Sequence, residues 1–337
     1  MNKEKITYSL VKKNEINSLL TAINKTKRVG TKEFRKQTTK KNWLWQYKKL
    51  PTSKSFCYLA KNKKKIIGYF HVPVFKFKFK KKNYSIGNAQ DVGVLENFRG
   101  RGIFKQLSDF ALKDLSKKID LVYSFPNKFS IKNFIFKNKF NYLGELPIYF
   151  KPTFQFNFIN KSIEISDKIV EIKNINYQVQ NLFKNFSSTH ELCIKRDKFF
   201  LNWRYLKSPK GKIKIAGLKR KNNFYSIIVY KKEQIFGINS IIILDFAYRE
   251  DVNNLSVLLN NFYTRLSVGK RFNPHLIIIA GIFKDMNKFF NKNFFKVPSL
   301  FTPRKIILLT KFFNKKLKKN LNKKSSWLIT LGDWDIF

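Results

Sequence analysis

The segment Arg99-Gly-Arg-Gly-Ile103-Phe104 combines the residue types that hold an anion. Gly100 and Gly102 let the backbone approach a ligand closely, and Arg99 and Arg101 add donors for charge-assisted bonds. The apolar run Val92-Gly93-Val94 precedes the loop and the amphipathic stretch from Lys105 to Leu115 follows it. A strand, a glycine turn and a helix start, in that order, aim free amides and the positive end of a helix dipole at one point. Other chemistries have weaker footing. His71, His190 and His275 are scattered, so no metal-ligand spacing is present and no metal is expected. Cys57 and Cys193 lie far apart, which argues against a disulfide scaffold and for a reducing compartment.

The hydrophobic period places the loop among its neighbours. Lys13 to Leu20 reads as a short helix. Thr31-Lys-Glu-Phe-Arg-Lys36 and Trp43-Leu-Trp45-Gln-Tyr47 read as a second helical piece or a loop over a cleft. Ser55–Ala60 and Lys65–Val72 flank a hairpin turn, and Val74–Lys80 alternates Phe with Lys as a half-buried strand does. Tyr84–Val94 is the strand that feeds the loop, 103–117 the helix that leaves it, and Ile119–Phe125 a buried strand. Ser130 starts a further helical piece to about Lys139, and Tyr142–Phe150 alternates as a strand. This order predicts an α/β fold with a mixed sheet. A similar succession of strands near 213–219, 224–231 and 235–245, a helix at 251–266, a strand at 275–281 and a helix at 284–291 suggests a distant duplication. Two domains are expected, 1–155 and 156–337, joined through a segment that carries Asn157 and Asn160, and the second lacks any glycine loop.

The chain has 337 residues, 43% of them hydrophobic and thirty-six of them phenylalanine, enough for a real core. Its 69 Lys+Arg against 21 Asp+Glu give a formal net charge of +48. Such a field attracts anions of every kind. The excess is mainly lysine, spread from Lys3 to Lys324, with no localised stripe of arginine and aromatics, so specific nucleic-acid binding is not expected. Contact with an anionic membrane surface is compatible with it. The N-terminus lacks an apolar signal segment and no run approaches 18 apolar residues, so the expected location is cytoplasmic.

Residues from about 84 to 150 resemble the core of the GNAT superfamily of acyl-CoA-dependent N-acyltransferases. The family's phosphate loop reads Gln or Arg, two residues, Gly, one residue, Gly or Ala. Arg99 and Gly102 match it, while Phe104 stands where a small residue is usual. Phe125-Pro126-Asn127, Ser130 and Lys137-Asn-Lys-Phe140 resemble a second family segment, with Lys139 in place of the usual glycine. The whole chain looks like long two-part members found among bacterial surface-polysaccharide functions. The resemblance implies a GNAT fold, duplicated with a degenerate second copy, and acetyl-CoA as acyl donor. It implies that the backbone of Val92, Gly93 and Val94 contacts the pantetheine arm, that the amides of Arg99, Gly100, Arg101, Gly102, Ile103 and Phe104 bind the pyrophosphate, and that Asn127 lies near the cofactor.

The implied reaction is direct attack of a primary amine on the thioester in a ternary complex, the acceptor being an amino sugar of a surface-glycan precursor, nucleotide- or lipid-linked. That chemistry needs proximity, a polarised carbonyl and removal of an ammonium proton. Asp91 and Glu96 are the candidate bases, with His71 on a neighbouring strand. The family's usual tyrosine acid falls near Ile135, which leaves Tyr123, Tyr142 and Tyr149 as candidates. Trp203-Arg204 and Gly332-Asp-Trp-Asp335 either line an acceptor cleft between domains or, more simply, lock the domains together through ion pairs of Asp197, Asp333 and Asp335. The alternative reading is a non-catalytic protein of the same fold that holds an acidic glycan or an anionic lipid surface.

Overall fold

The computed structural model describes residues 5–28, 37–80, 82–153, 167–188, 192–209, 211–265, 273–283, 286–302 and 305–334. Thr31–Lys36, Asn157, Asn160, His190 and Asp335 lie outside them. Two compact units are present. The first gathers Met1–Phe77, Asn83–Gly144 and Ile307–Asn322, and the second Lys78–Lys82, Glu145–Ile306 and Lys323–Phe337. The division expected between residues 155 and 156 is therefore not a single boundary, because the chain passes back and forth.

In the first unit β1 (Ile6–Leu10) is followed by helices α1 (Ile16–Arg28) and α2 (Lys40–Tyr47), then by β2 (Ser55–Asn62), β3 (Lys65–Phe79), β4 (Lys82–Asn88) and β5 (Gln90–Val94). Helix α3 (Ile103–Leu115), β6 (Leu121–Ser124), a π-helical turn (Asn133–Lys137) and β7 (Asn141–Glu145) complete its N-terminal part. The sheet runs β1-β2-β3-β4-β6, then the strand Ile307–Phe312, then β7, with β5 paired to β3 alone. All neighbours with resolved register are antiparallel except β4 and β6, which pair in parallel from Ile86↔Leu121 to Asn88↔Tyr123.

Period-2 alternation splits the core. Tyr58, Ala60, Phe70 and Val72 face α3, where they meet Leu107, Ala111 and Leu115. Cys57, Leu59 and Tyr69 face the opposite side and meet Leu19, Ile23, Trp43 and Tyr47 of α1 and α2. On α3 the Asp114 carboxylate accepts from Tyr58 Oη at 2.7 Å and Lys118 Nζ at 2.6 Å. Burial works to raise this carboxyl, and the two donors outweigh it, leaving Asp114 below its ordinary value. Its stabilisation is then complete above the ordinary carboxylate range near about 4 and fades as pH falls through the lower folded value. Asp114→Asn is expected to flatten that acid limb in urea titrations between about pH 2 and 5 while lowering stability at neutral pH.

The second unit begins with β8 (Ile148–Pro152) and β9 (Asp167–Glu171). Helix α4 (Tyr177–Ser188), β10 (Leu192–Ile194) and α5 (Lys198–Leu201), which continues as a π-helical turn to Leu206, come next. Strands β11 (Ile213–Arg220), β12 (Asn223–Ile235) and β13 (Ile238–Tyr248) form an antiparallel meander, followed by α6 (Asn253–Arg265), β14 (Leu276–Ile282), α7 (Asn287–Asn293) and the short β15 (Phe295–Lys296). The chain then supplies β16 (Ile307–Phe312) and α8 (Lys315–Leu321) to the first unit and returns as β17 (Ile329–Thr330). The order is β15-β8-β14-β13-β12-β11-β9. Again one central pair, β13 and β14, is parallel.

Each unit thus has a meander, a helix and a parallel strand in succession, as the predicted duplication requires. The expected strand Tyr142–Phe150 is two strands, because Leu146-Pro147 separates β7 of the first unit from β8 of the second. Strands expected at 65–72 and 74–80 are one continuous β3. No helix among the described residues is long and apolar enough to cross a membrane.

Candidate functional site

In the first unit the parallel pairing of β4 with β6 ends where Ala89 N donates to Tyr123 O at 2.8 Å and Ser124 Oγ to Ala89 O at 2.8 Å. Beyond this point β5 stays with β3 and has no partner on its other side among the described residues. A bulge makes the departure. His71 pairs with Gln90 and Phe70 with Val92, so Asp91 is the extra residue, held at φ +44°. The expected pantetheine contacts Val92, Gly93 and Val94 lie on this one-sided strand.

The chain next makes a single turn, Glu96–Phe98, and reaches the glycine loop. Arg99 Nε donates to Val94 O at 3.2 Å, tying the loop back to β5, and Arg101 lies 5.3 Å from the Phe98 ring. Gly100 and Gly102 take φ +77° and +74°, and a Cβ at Gly100 would meet nothing within 4 Å. Gly102 is the N-cap of α3, supplies no side chain to the helix start, and accepts the first helical bond from Gln106 N at 3.1 Å. The amides of Ile103, Phe104 and Lys105 precede that ladder, as the first amides of any helix do. No acidic residue stands in the first turn. The loop therefore fits a diphosphate: open space, exposed arginines and uncapped amides at a helix dipole. Ile103 is buried, and Phe104 packs edge-on against Phe134 at 5.8 Å, so both side chains serve the core while their amides stay at the helix start.

The opposite face of β5 carries a polar group among aromatics. Tyr47 Oη donates to Asp91 Oδ2 at 2.5 Å, and Gln46 and Gln90 place their amide nitrogens 3.1 and 3.4 Å from the same hydroxyl. His71 is fully buried; its Nε2 accepts from Trp43 Nε1 at 3.0 Å and lies 3.1 Å from Cys57 Sγ. Indole nitrogen only donates, so Nδ1 carries the proton and donates to Asp91 O at 3.1 Å. The bulge is thereby pinned at both its carbonyl and its carboxylate. Trp43, Trp45 and Tyr47 are all buried, which assigns them to packing and positioning rather than to an open stacking surface.

The other expected residues are more dispersed. Glu96 is exposed on the turn before the loop. Asn127 Oδ1 accepts from Phe129 N and Ser130 N, both at 3.0 Å, and so starts the following helical turn. Tyr142 is 55% exposed on β7, with β16 between it and β6. Tyr123 is fully buried, and Tyr149 belongs to the second unit. The sequence pattern marks Tyr47 only as one of an aromatic group with Trp43 and Trp45; among 55 Phe, Trp and Tyr residues nothing singles it out as the partner of Asp91.

The second unit treats the equivalent places differently. The link from β13 to α6, Arg249-Glu-Asp-Val252, has no glycine, and Asp251 Oδ1 accepts from Asn253 N at 2.8 Å at the start of α6. β13 pairs with β14 only from Ser240↔Leu276 to Ile243↔Ile279. Where they part, β17 pairs with β14 through Gly281↔Thr330 and Ile282↔Ile329. A Cβ on Gly281 would collide with the Ile329 carbonyl, so this approach needs glycine.

Behind β17, Arg196 donates to Asp245 Oδ2 at 2.7 Å and to Asp333 Oδ2 at 3.0 Å, all three side chains without solvent exposure. Tyr205 Oη donates to Asp245 at 2.6 Å, and Arg204 donates to the carbonyls of Gly332 and Trp334. Burial pushes the Asp333 carboxyl up against the pull of Arg196, since two acids share one guanidinium. The lock expected between domains is thus a network within the second unit. Asp197 is apart from it, capping α5 through Phe200 N at 3.0 Å. Among the described residues no group of His, Cys, Asp and Glu could hold a metal ion.

Residues 21–134 match the family model of the acetyltransferase (GNAT) domain. No curated protein matches the chain. Among solved structures, a GCN5-related N-acetyltransferase from Anabaena variabilis is similar over 92% of this chain and 73% of its own, with 10% identity and a TM-score of 0.68. A tandem GNAT protein from the clavulanic acid biosynthesis pathway is similar over 92% and 99%, with 9% identity and a TM-score of 0.62. N-myristoyltransferase of Saccharomyces cerevisiae with bound myristoyl-CoA is similar over 93% and 85%, with 11% identity and a TM-score of 0.57. The fold is the GNAT fold, and the tandem relative agrees with its duplication.

Proposed function

We propose that the chain transfers an acyl group from acyl-CoA, acetyl-CoA in the first instance, to a primary amine, with the donor held by the first unit alone. What supports this most is the contrast between two helix starts. α3 begins at a bare glycine with no side chain capping its first amides, whereas Asp251 already accepts from the first amide of α6, Asn253 N. When bound, the donor supplies an activated thioester carbonyl. The amides of Gly102 to Phe104 and the two loop arginines hold its diphosphate, and the open edge of β5 orients the acyl arm. Asp91 takes the ammonium proton of the acceptor. Tyr47 fixes the carboxylate and His71 the bulge, so the base is positioned before the acceptor arrives. The acceptor in this reading is an amino sugar of a surface-glycan precursor, and the +48 charge favours one carried on an anionic nucleotide or lipid phosphate.

The test is release of free thiol from acetyl-, butyryl- and myristoyl-CoA with a panel of free and nucleotide-linked amino sugars. Turnover fastest with acetyl-CoA and an anionic amino sugar is expected; thiol release from none of the pairs would sink the reading and favour the non-catalytic alternative. In that assay Asp91→Asn is expected to lower kcat by about a hundredfold, within the usual span for loss of a general base, with little change in donor KM. Tyr47→Phe should lower it by roughly tenfold, and Glu96→Gln and Tyr142→Phe by less than about threefold.

A further inference from the structure

The second unit contains a cavity of about 1090 Å³ at the end of β14 and the start of β8. That volume suits a ligand of drug or nucleotide size. Its lining joins apolar residues, Leu146, Ile148, Ile282, Phe283 and Val297, to the polar Lys296, Lys324, Ser299 and Ser325. Glu145 is the acidic residue on the lining, and it is already engaged: Ser299 Oγ lies 3.2 and 3.0 Å from its two oxygens, and Lys305 Nζ lies 3.8 Å away. Lys324 donates to the Glu145 carbonyl oxygen. Lys305 is thus the ammonium paired with that carboxylate, while Lys324 is held by the backbone carbonyl and carries its charge into the cavity beside Lys296. Around the cavity the short stretch from Phe295 to Phe301 leaves Phe295 51%, Leu300 88% and Phe301 73% exposed, a concentration of apolar tips that a soluble surface does not need.

We propose that this cavity binds a phosphorylated amphiphile, its phosphate set between Lys296 and Lys324 and its apolar body laid along Leu146, Ile148, Ile282 and Phe283. An anion there balances the excess charge and accepts from the hydroxyl of Ser325. Burial and the nearby charge of Lys296 already hold the Lys324 ammonium below its ordinary value, a strain that a bound anion relieves. Phe295, Leu300 and Phe301 cover whatever length of tail leaves the cavity. The site is separate from the donor loop, whose residues all belong to the first unit.

Isothermal titration of the full chain at physiological salt tests it, with monomeric dihexanoyl phosphatidic acid, inorganic phosphate and dihexanoylglycerol as probes. The phosphatidic acid is expected to bind at least about tenfold more tightly than either part alone, and Lys296→Gln and Lys324→Gln each to weaken it by roughly tenfold, the worth of one charge-assisted bond. Lys296 and Ser325 are exposed, so Lys296→Gln and a cavity-closing Ser325→Trp keep the test valid where Lys324→Gln melts early. Absent binding of the phosphatidic acid, equal affinity for inorganic phosphate, or full affinity in the Lys296→Gln/Lys324→Gln double variant would each overturn the proposal. Gly102→Glu should leave this binding unchanged, which separates its failure from failure of the donor assignment.

Discussion

Gly102→Glu is expected to abolish acyl-CoA binding, with a loss of more than about a hundredfold in affinity. Two effects add. The backbone there sits at φ +74°, where an L side chain costs about 1–2 kcal/mol, and a carboxylate is placed on the amides that the diphosphate would use. The second effect is the larger, because it removes several charge-assisted bonds at once and adds like-charge repulsion. Gly102→Ala separates them: it carries the strain alone, and its affinity should stay within about tenfold of the parent. Calorimetry with acetyl-CoA would also report one donor per chain. Tight binding retained in the glutamate variant would remove the phosphate loop from the account, and two donors per chain would overturn its assignment to the first unit alone.

Arg196→Met should be the most destabilising single change in the second unit. It leaves Asp245 and Asp333 facing one another without a cation in a place with no solvent, a situation that typically costs about 3–5 kcal/mol. Urea unfolding followed by tryptophan fluorescence would show the loss, since Trp203, Trp327 and Trp334 all sit buried in this unit. The sign of its pH dependence follows. A buried carboxyl with a raised folded value binds protons more readily folded than unfolded, so stability rises as pH falls from that raised value toward about 3.9. The variant should therefore recover part of its stability in mild acid. Arg196→Met/Asp245→Asn/Asp333→Asn should recover more at neutral pH, because amide oxygens still accept from Phe246 N and Thr330 N as the carboxylates do. A single variant as stable as the parent would show that the network contributes nothing.

What the chain discloses before folding depends on how local the physics is. The glycine loop, the helix after it and the meanders of both units are set by short-range pattern and by φ values that only glycine takes easily, and they stand within a few residues of where periodicity puts them. Asp91 was visible as a carboxylate beside the loop, but its bulge and its hold by Tyr47 and His71 depend on strands and a helix that meet from 20 and 44 residues away. Arg196 is hidden for a stronger reason. In a chain so rich in cations nothing distinguishes the one guanidinium that is buried, and its acids arrive 49 and 137 residues later. The break between β7 and β8 was hidden too, since alternation runs through Leu146-Pro147 without announcing that the strand changes sheets.

That change of sheets has a consequence for how the protein comes into being. β6 pairs with β16 through Ser124↔Leu309, positions 185 residues apart. At about 5–20 residues per second, a ribosome that has released β6 delivers its partner strand only after roughly ten to forty seconds. During that interval the edge of β6, all four residues of which end up buried, is a template for any other strand. Newly made chains should thus depend on chaperones until synthesis is nearly over, and the gene should tolerate missense changes better than truncation, since a fragment stopping at residue 155 would leave that edge open permanently.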